Sequence, residues 1–486
     1  MNKLVFRADG NHKSGLGHMY RVFALFEMLK NEFDCLLITS KNTELNIVPQ
    51  ELQLKLVPDE VTLKHEPNWI ASEIKNKNTW LILDGYQFST EYIEELRKHG
   101  FKLAYVDDFA NKLVDADVII NHSLAATCND YKGLPTVKLA LGTKYAILRP
   151  SFLEAAKHSR QINQIRNIII CFGGADALNL TLEAVKAVLQ FGTNYGVNVV
   201  LGAAYNHQEV FLLAEKHEQI QVYKNLDERK LKQVMTESDL AIASASTILY
   251  EICSVKMPVI CGYYVDNQKG IYEGSVANKL IFGIGNIEQF KAVDFEKVIR
   301  PILQMESFSD YLNNQAKLFD DKIKARFINL FSEITYRKAQ KDDLMQVFKW
   351  SNDPITRNNS YNSGTISLET HQQWFNKKLN DASSIIYMAE VNGQPAGMVR
   401  YEVLATHSVV GVLIDPNHRG RGLASIFLQA TANLFFENHS VSIWAYIKKT
   451  NQASIKSFER AHYKKLKNEL VEGIESTIYC LDKNYL

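Results

Sequence analysis

The chain has 486 residues, 46% of them hydrophobic and 22% charged. That is the composition of a soluble globular protein and too much chain for one ordinary core, so two or three domains are expected. Lys and Arg number 55 against 54 Asp and Glu, a formal net charge of +1, which leaves no broad field to hold nucleic acid or an anionic membrane; any phosphate binding has to be local. The six cysteines form no C-x-x-C pair and mostly sit in apolar runs, as reduced thiols of a cytoplasmic protein do. Residues 1–9 lack signal-peptide character and no apolar stretch reaches membrane-spanning length. The expectation is a cytoplasmic protein with no membrane partner.

From residue 3 the chain alternates short β-branched or apolar runs (4–7, 35–39, 80–83, 103–106, 118–121) with segments of helical spacing such as 20–29 and 91–98. Such alternation predicts βαβ units winding a parallel sheet. A second series begins at 167–172 and continues through 197–201, 220–223, 240–243 and 258–263, closed by a helical stretch over 313–333. At Thr335 the texture changes: a strand over 336–339, a helix over 340–350, then closely spaced strands at 385–390, 397–403 and 409–414, as in a mostly antiparallel sheet. A helix over 423–437, a strand over 441–447 and a helix over 452–460 follow. The fold class read from this is α/β: two Rossmann-like domains, 1–150 and 151–334, followed by an α+β domain, 335–486.

Ser14-Gly15-Leu16-Gly17-His18 lies between the first strand and the first helix. Glycines there let the backbone approach a ligand, and a helix N-terminus offers unpaired N–H groups to a phosphate. The third glycine of a dinucleotide fingerprint is missing, since Tyr20 stands in its place, which argues against a nicotinamide site. His18, in the first turn, is placed to act as a general base. Asp115-Ala116-Asp117 has the D-x-D pattern of metal-dependent transferases, but Asp117 runs straight into an apolar strand and reads as the start of that strand.

The blocks Arg7-Ala8-Asp9, Gly17-His18-Met19-Tyr20-Arg21, Leu83-Asp84-Gly85-Tyr86, Val106-Asp107-Asp108, Phe172-Gly173-Gly174-Ala175-Asp176, Asn179-Leu180-Thr181, Ala245-Ser246-Thr247 with Glu251, and Asp266-Asn267-Gln268 resemble, in order, those of the hydrolases of the pseudaminic-acid pathway. Those enzymes release UDP from a diacetamido-trideoxy-altrose. The resemblance covers about two-thirds of the chain and implies a glycosyltransferase-B architecture. It implies further that His18 positions or deprotonates the attacking water and that Gly17 approaches the substrate. Tyr86 and Asn267 or Gln268 would line the sugar pocket, Gly173, Gly174, Ser246 and Thr247 would hold the diphosphate, and Glu251 would bind the ribose. No metal is implied.

Near the C-terminus, a strand over 412–414 leads through Asp415-Pro416 into Arg419-Gly420-Arg421-Gly422-Leu423-Ala424 and an amphipathic helix. An Arg-x-x-Gly-x-Ala turn between strand and helix aims backbone N–H groups at one point, a cradle for a pyrophosphate. With Asn451-Gln452-Ala453-Ser454, Phe458 and Tyr463, this region resembles the GNAT superfamily of N-acetyltransferases. Trp350-Ser351-Asn352-Asp353 and His371-Gln372-Gln373-Trp374-Phe375 resemble its members that acetylate 4-amino groups of UDP-sugars. The implied acetyl-CoA contacts are Ile414, Arg419, Gly420, Arg421, Gly422, Ala424, Asn451, Ser454 and Phe458. Phe458 stands where many members carry a proton-donating tyrosine, leaving Tyr446 or Tyr463 as alternatives.

The two resemblances describe consecutive reactions, so the expected protein is a bifunctional enzyme whose partners are a UDP-amino sugar and acetyl-CoA. A glycosyltransferase with an appended acetyltransferase, and a non-catalytic nucleotide-sugar sensor, are the alternatives from other classes; the oligomeric state is open.

Overall fold

The computed structural model describes residues 2–11, 16–75, 79–110, 114–133 and 137–483. Ser14 and Gly15 of the glycine turn lie outside them. The chain divides into two compact units, Met1–Ile328 and Asn329–Leu486. Among the described residues no helix is long and apolar enough to cross a membrane.

The first unit holds two parallel sheets. Strands β1 (Lys3–Ala8), β2 (Asp34–Ser40), β3 (Gln53–Val57), β4 (Trp80–Asp84), β5 (Lys102–Val106), β6 (Val118–Asn121) and β7 (Lys138–Leu141) lie in the order β3-β2-β1-β4-β5-β6-β7. Strands β8 (Asn167–Cys171), β9 (Gly196–Leu201), β10 (Ile220–Lys224), β11 (Leu240–Ser244), β12 (Val259–Tyr263) and β13 (Phe282–Asn286) lie in the order β10-β9-β8-β11-β12-β13. The central strands are apolar throughout because helices cover both faces; Ile168, Ile169 and Ile170 are wholly buried. In each sheet the strand order reverses once, between β1 and β4 and between β8 and β11. Crevices beyond the carboxyl ends of strands at such reversals are where open α/β sheets bind ligands.

In the second unit β14 (Ile334–Lys338), β15 (Ser384–Val391), β16 (Gln394–Val403), β17 (Ser408–Ile414), β18 (Ile443–Lys448), β19 (Lys464–Val471) and β20 (Ile474–Leu481) form one sheet, ordered β14-β15-β16-β17-β18-β20-β19. Asn392-Gly393 and Glu472-Gly473, all with positive φ, make the two-residue turns of the β15–β16 and β19–β20 hairpins. All pairings are antiparallel except β17 with β18, which run parallel and pair only at Ser408 with Ile443 and Val409 with Trp444. Beyond Val409 the two strands part. Val399, Tyr401 and Val410 pack one face against the helix Leu423–Asn438. Met398 packs on the other face with Trp350 and Phe375.

The helix expected over 313–333 is two helices, Ser309–Leu318 and Ile323–Phe331. Asp320 breaks the run by accepting from the Lys322 N–H at 2.9 Å, a local bond that competes with the helix. The helix expected over 340–350 begins as a 3-10 turn, Lys341–Asp343, because the Asp343 carboxylate accepts from the Gln340 N–H at 2.7 Å and caps it.

Candidate active sites

The first site gathers at the carboxyl ends of β1, β4 and β5. His18 is the second residue of the helix Gly17–Leu29, whose first turn has no side-chain cap. Its Nδ1 lies 2.6 Å from Oδ1 of Asp84, the wholly buried last residue of β4. Arg21 Nη2 stands 2.8 Å from the same nitrogen but donates to Asp84 Oδ1 at 2.6 Å; with Nδ1–H given to the buried Asp84 carboxylate, the Nε2 lone pair stays free, which is what a general base needs. Arg21 stands three residues on, on the same helix face. It donates through Nε to Asp84 Oδ2 at 2.9 Å and through Nη1 to Asp108 Oδ1 at 2.6 Å. Tyr86 donates its hydroxyl to Asp108 Oδ2 at 2.7 Å and sets its ring edge-on to the His18 imidazole, 4.7 Å between centroids. Asn267, from the second sheet's side, hydrogen-bonds Tyr86.

The electrostatics of this cluster follow from burial. Desolvation opposes the Arg21 charge, but Asp84 and Asp108 outweigh it and hold its pKa above the ordinary value. Desolvation likewise opposes ionised Asp108, yet Arg21 brings its pKa down to about 2. Burial and the Asp108 charge push Tyr86 up to about 12, so it remains a phenol. Two carboxylates, Asp84 and Asp108, thus face the single guanidinium of Arg21. Behind them His122 is buried, with neither ring nitrogen hydrogen-bonded among the described residues. Burial lowers its pKa to about 4.

The second sheet supplies donors to the same unit. Gly173, just past β8, has φ +96°, a conformation that favours glycine. Gly174 is approached by Gly202 so closely that a Cβ on Gly202 would stand 2.2 Å from the Gly174 carbonyl oxygen. Asp176 accepts from the N–H groups of Leu180 and Thr181 at 2.9 and 2.8 Å, turning this loop into the helix Leu180–Leu189. Ser246 is the N-cap of the helix Thr247–Ser254 but makes no side-chain cap, so its hydroxyl is not spent on the helix. Glu251 is buried, and both its oxygens accept from Arg149 at 2.7 Å. Burial raises the Glu251 pKa even so; a ribose would have to share a carboxylate that already holds a guanidinium.

Of the two expected sugar-pocket amides, Asn267 is exposed and reaches Tyr86, whereas Gln268 is buried and accepts from the Tyr264 N–H at 3.1 Å. Asp115 and Asp117 both pair with Arg97 at 3.0 Å, and Asp117 also accepts from the Leu103 N–H at the amino end of the sheet, away from this site.

In the second unit, Gly420 and Gly422 have φ of +78° and +77° with open space where a Cβ would stand. Gly422 caps the helix Leu423–Asn438 without a side chain, so the first-turn N–H groups around Ala424 are uncommitted. The Arg419 guanidinium is tied to Asp353 at 2.6 Å and to Thr356 at 3.1 Å, and the Arg421 carbonyl accepts from Asn329 at 2.7 Å. Arg419 therefore braces the turn through its side chain and leaves the backbone N–H groups at the start of the helix uncapped. Ile414, at the end of β17 and five residues past its last pairing with β18, packs on the core. Asn451 caps the helix Gln452–Arg460 by accepting from the Ser454 N–H at 3.1 Å.

Phe458 is 3% exposed and packs edge-on against Tyr463, so it is a core side chain under that helix and offers no open ring face. Tyr463 is equally buried, with its pKa well above the ordinary value. Tyr446 is half-buried, its hydroxyl 3.5 Å from His407 Nε2. A cavity of about 410 Å³ opens on Gly411, Val412 and Leu413 of β17 and is lined also by Arg357, His371, Trp374, Met398 and Arg400.

Sequence reasoning gave no roles to Asp84, Arg21 and Asp108, although all three lie in blocks it singled out. It passed over Arg357 and Arg400 altogether. Arg400 had a signal: a charge in the alternating strand Met398-Val399-Arg400-Tyr401, on the face opposite Val399 and Tyr401.

Residues 333–464 match the family described as acetyltransferase (GNAT) domain. The whole chain is 25% identical to an uncharacterized protein of Methanocaldococcus jannaschii, over 96% of this chain and 97% of that one. It is 27% identical to the UDP-2,4-diacetamido-2,4,6-trideoxy-beta-L-altropyranose hydrolase of Campylobacter jejuni, over 55% of this chain and 93% of that one. It is 25% identical to the spore coat polysaccharide biosynthesis protein SpsG of Bacillus subtilis, over 54% of this chain and 77% of that one. The chain thus joins an N-terminal region that resembles this hydrolase and SpsG to a C-terminal GNAT acetyltransferase domain.

Proposed function

We propose that the chain is a cytoplasmic bifunctional enzyme that modifies one sugar nucleotide in two consecutive steps of a pseudaminic-acid type pathway. Residues 335–486 acetylate the 4-amino group of a UDP-4-amino-4,6-dideoxy-N-acetyl sugar. Residues 1–150 and 151–334, as two Rossmann-like domains, hydrolyse the diacetamido product to UDP and free sugar. The observation that carries the hydrolytic reading is the His18–Asp84 pair with Nε2 left open, set where the strand order reverses.

In the hydrolysis His18 Nε2 takes a proton from water while Asp84 holds Nδ1–H. The water attacks the anomeric carbon with inversion, and Tyr86 and Asn267 orient the sugar. Backbone N–H groups of Gly17, Gly173 and Gly174, with the Ser246 and Thr247 hydroxyls, take up charge on the leaving diphosphate without requiring a metal. Glu251 frames the ribose end. In the transfer reaction acetyl-CoA supplies the acetyl group. The turn from Arg419 to Ala424 holds its diphosphate, and Ile414, Asn451, Ser454 and the helix over Phe458 flank its arm. The cavity beside β17 receives the amine, and Tyr446 is the phenol with access to return a proton.

The test is to give the purified chain UDP-4-amino-4,6-dideoxy-N-acetylaltrosamine and follow coenzyme A and UDP with and without acetyl-CoA. Coenzyme A is expected first, with UDP release dependent on acetyl-CoA. UDP release that ignores acetyl-CoA, or transfer of the sugar to an acceptor other than water, would refute this reading.

A further inference from the structure

The cavity beside β17 has an uneven charge. Among the described residues its lining contains two guanidinium groups, Arg357 and Arg400, and no carboxylate. Arg357 donates to the carbonyls of Ser351 and Asn362, and its Nε has no hydrogen-bond partner. The Arg400 guanidinium stacks over the Trp374 ring, 5.3 Å from its centroid. Its Nε lies 3.2 Å from Glu402 but is not aligned for a hydrogen bond. Glu402 is shared: Lys378 approaches it at 3.2 Å as well. One carboxylate thus serves two cations, and burial lowers the Arg400 pKa, the mark of a charge left short of counter-charge. His371 adds none. Burial keeps it neutral, the Leu344 backbone hydrogen-bonds its ring, and its Nε2 has no partner. The rest of the polar lining is hydroxyl, from Ser351, Thr356, Ser360 and Thr370.

A cavity built to take a polyamine or another polycation would carry acidic side chains, because an incoming charge must be matched as it loses water. This one is built the other way. We propose that Arg357 and Arg400 form an anion site through which the second unit selects an amine that also carries a phosphate, and turns away amines whose other groups are cationic. The proposal rests on reading the cavity as the acceptor site, and it names the residues that decide the acceptor's charge. Guanidinium groups suit phosphate because their planar donors pair two oxygens at once.

The test uses the full chain and coenzyme A release with three acceptors: the UDP-linked 4-amino sugar, the same 4-amino sugar without nucleotide, and spermidine. Arg357→Met and Arg400→Met keep the stem packing and remove the charge. Each is expected to raise KM for the UDP-linked acceptor about 10- to 100-fold, the worth of one charged hydrogen bond. KM for acetyl-CoA and for the nucleotide-free sugar should stay unchanged, and Arg400→Lys should recover part of the loss. Spermidine used as well as the UDP-linked sugar, or an unchanged KM in both methionine variants, overturns the proposal.

If no acceptor is acetylated, the acceptor reading has failed by itself. The anion site is then decided by titrating inorganic pyrophosphate into chain saturated with coenzyme A and following tryptophan fluorescence. A phase lost in the Arg357→Met/Arg400→Met double variant supports the site, and superimposable titrations reject it.

Discussion

At the residue scale the first site is a small set of charges arranged around one imidazole. His18→Ala removes the proposed base and is expected to lower kcat for UDP release by about 10²- to 10⁴-fold, leaving coenzyme A release intact. Normal hydrolysis in that variant would remove His18 from the mechanism. Asp84→Asn keeps the shape but no longer favours Nδ1–H, so kcat should fall by about 10²-fold or more with little change in KM. Hydrolysis in heavy-oxygen water should label the sugar; label in UDP would mean attack at phosphorus. His122 gives a pH prediction. Its folded pKa of about 4 lies below the ordinary 6.5, so the unfolded chain binds the extra proton first. Its contribution to stability is full above pH 6.5 and is lost as the pH falls towards 4, by about 3 kcal/mol in all. His122→Phe should flatten the drop in melting temperature of the first unit between pH 7 and 5, and an unchanged drop would assign that sensitivity elsewhere.

Elements explain what could and could not be read in advance. Central strands such as β8 and β11 are apolar on both faces and stand out as runs. The edge strands β3, β7 and β13 are only partly covered, and the exposed β19 even less, so nothing in their composition marked them. The glycine turns were legible because a positive φ needs a particular residue. The Arg21 network was not, because its partners lie 63 and 87 residues away and only the parallel order of β1, β4 and β5 brings them together. The resemblance implied that Phe458 lies beside acetyl-CoA, yet a resemblance does not say which face of the helix is core, and Phe458 is buried. Gly202 had no local reason to be glycine; its reason is the Gly174 backbone. Gly202→Ala should push that loop aside, raise KM for the UDP-sugar and leave acetyl transfer alone. Gly422→Val forces a branched side chain to φ +77°, at about 1–2 kcal/mol, and should raise KM for acetyl-CoA about tenfold; an unchanged value would count against the cradle.

At the scale of the whole molecule, joining the two units in one chain raises the local concentration of any intermediate both handle, without requiring a passage between them. The two units also depend on ligands differently. In the second, β14–β17 and β18–β20 are held to each other by pairing at only two positions of β17 and β18. Past Val409 the facing edges are a seam the chain leaves open. If acetyl-CoA lies along that seam, as the proposed function has it, it would supply the missing hydrogen bonds and act as a removable strand of this sheet. Its amides at 411–414 should exchange with heavy water quickly in the free protein and slowly in the bound one. The unit's melting temperature should climb with coenzyme A, by the equivalent of about 2.7 kcal/mol at a hundredfold excess over Kd. UDP, proposed to bind the first unit, should leave that transition where it is.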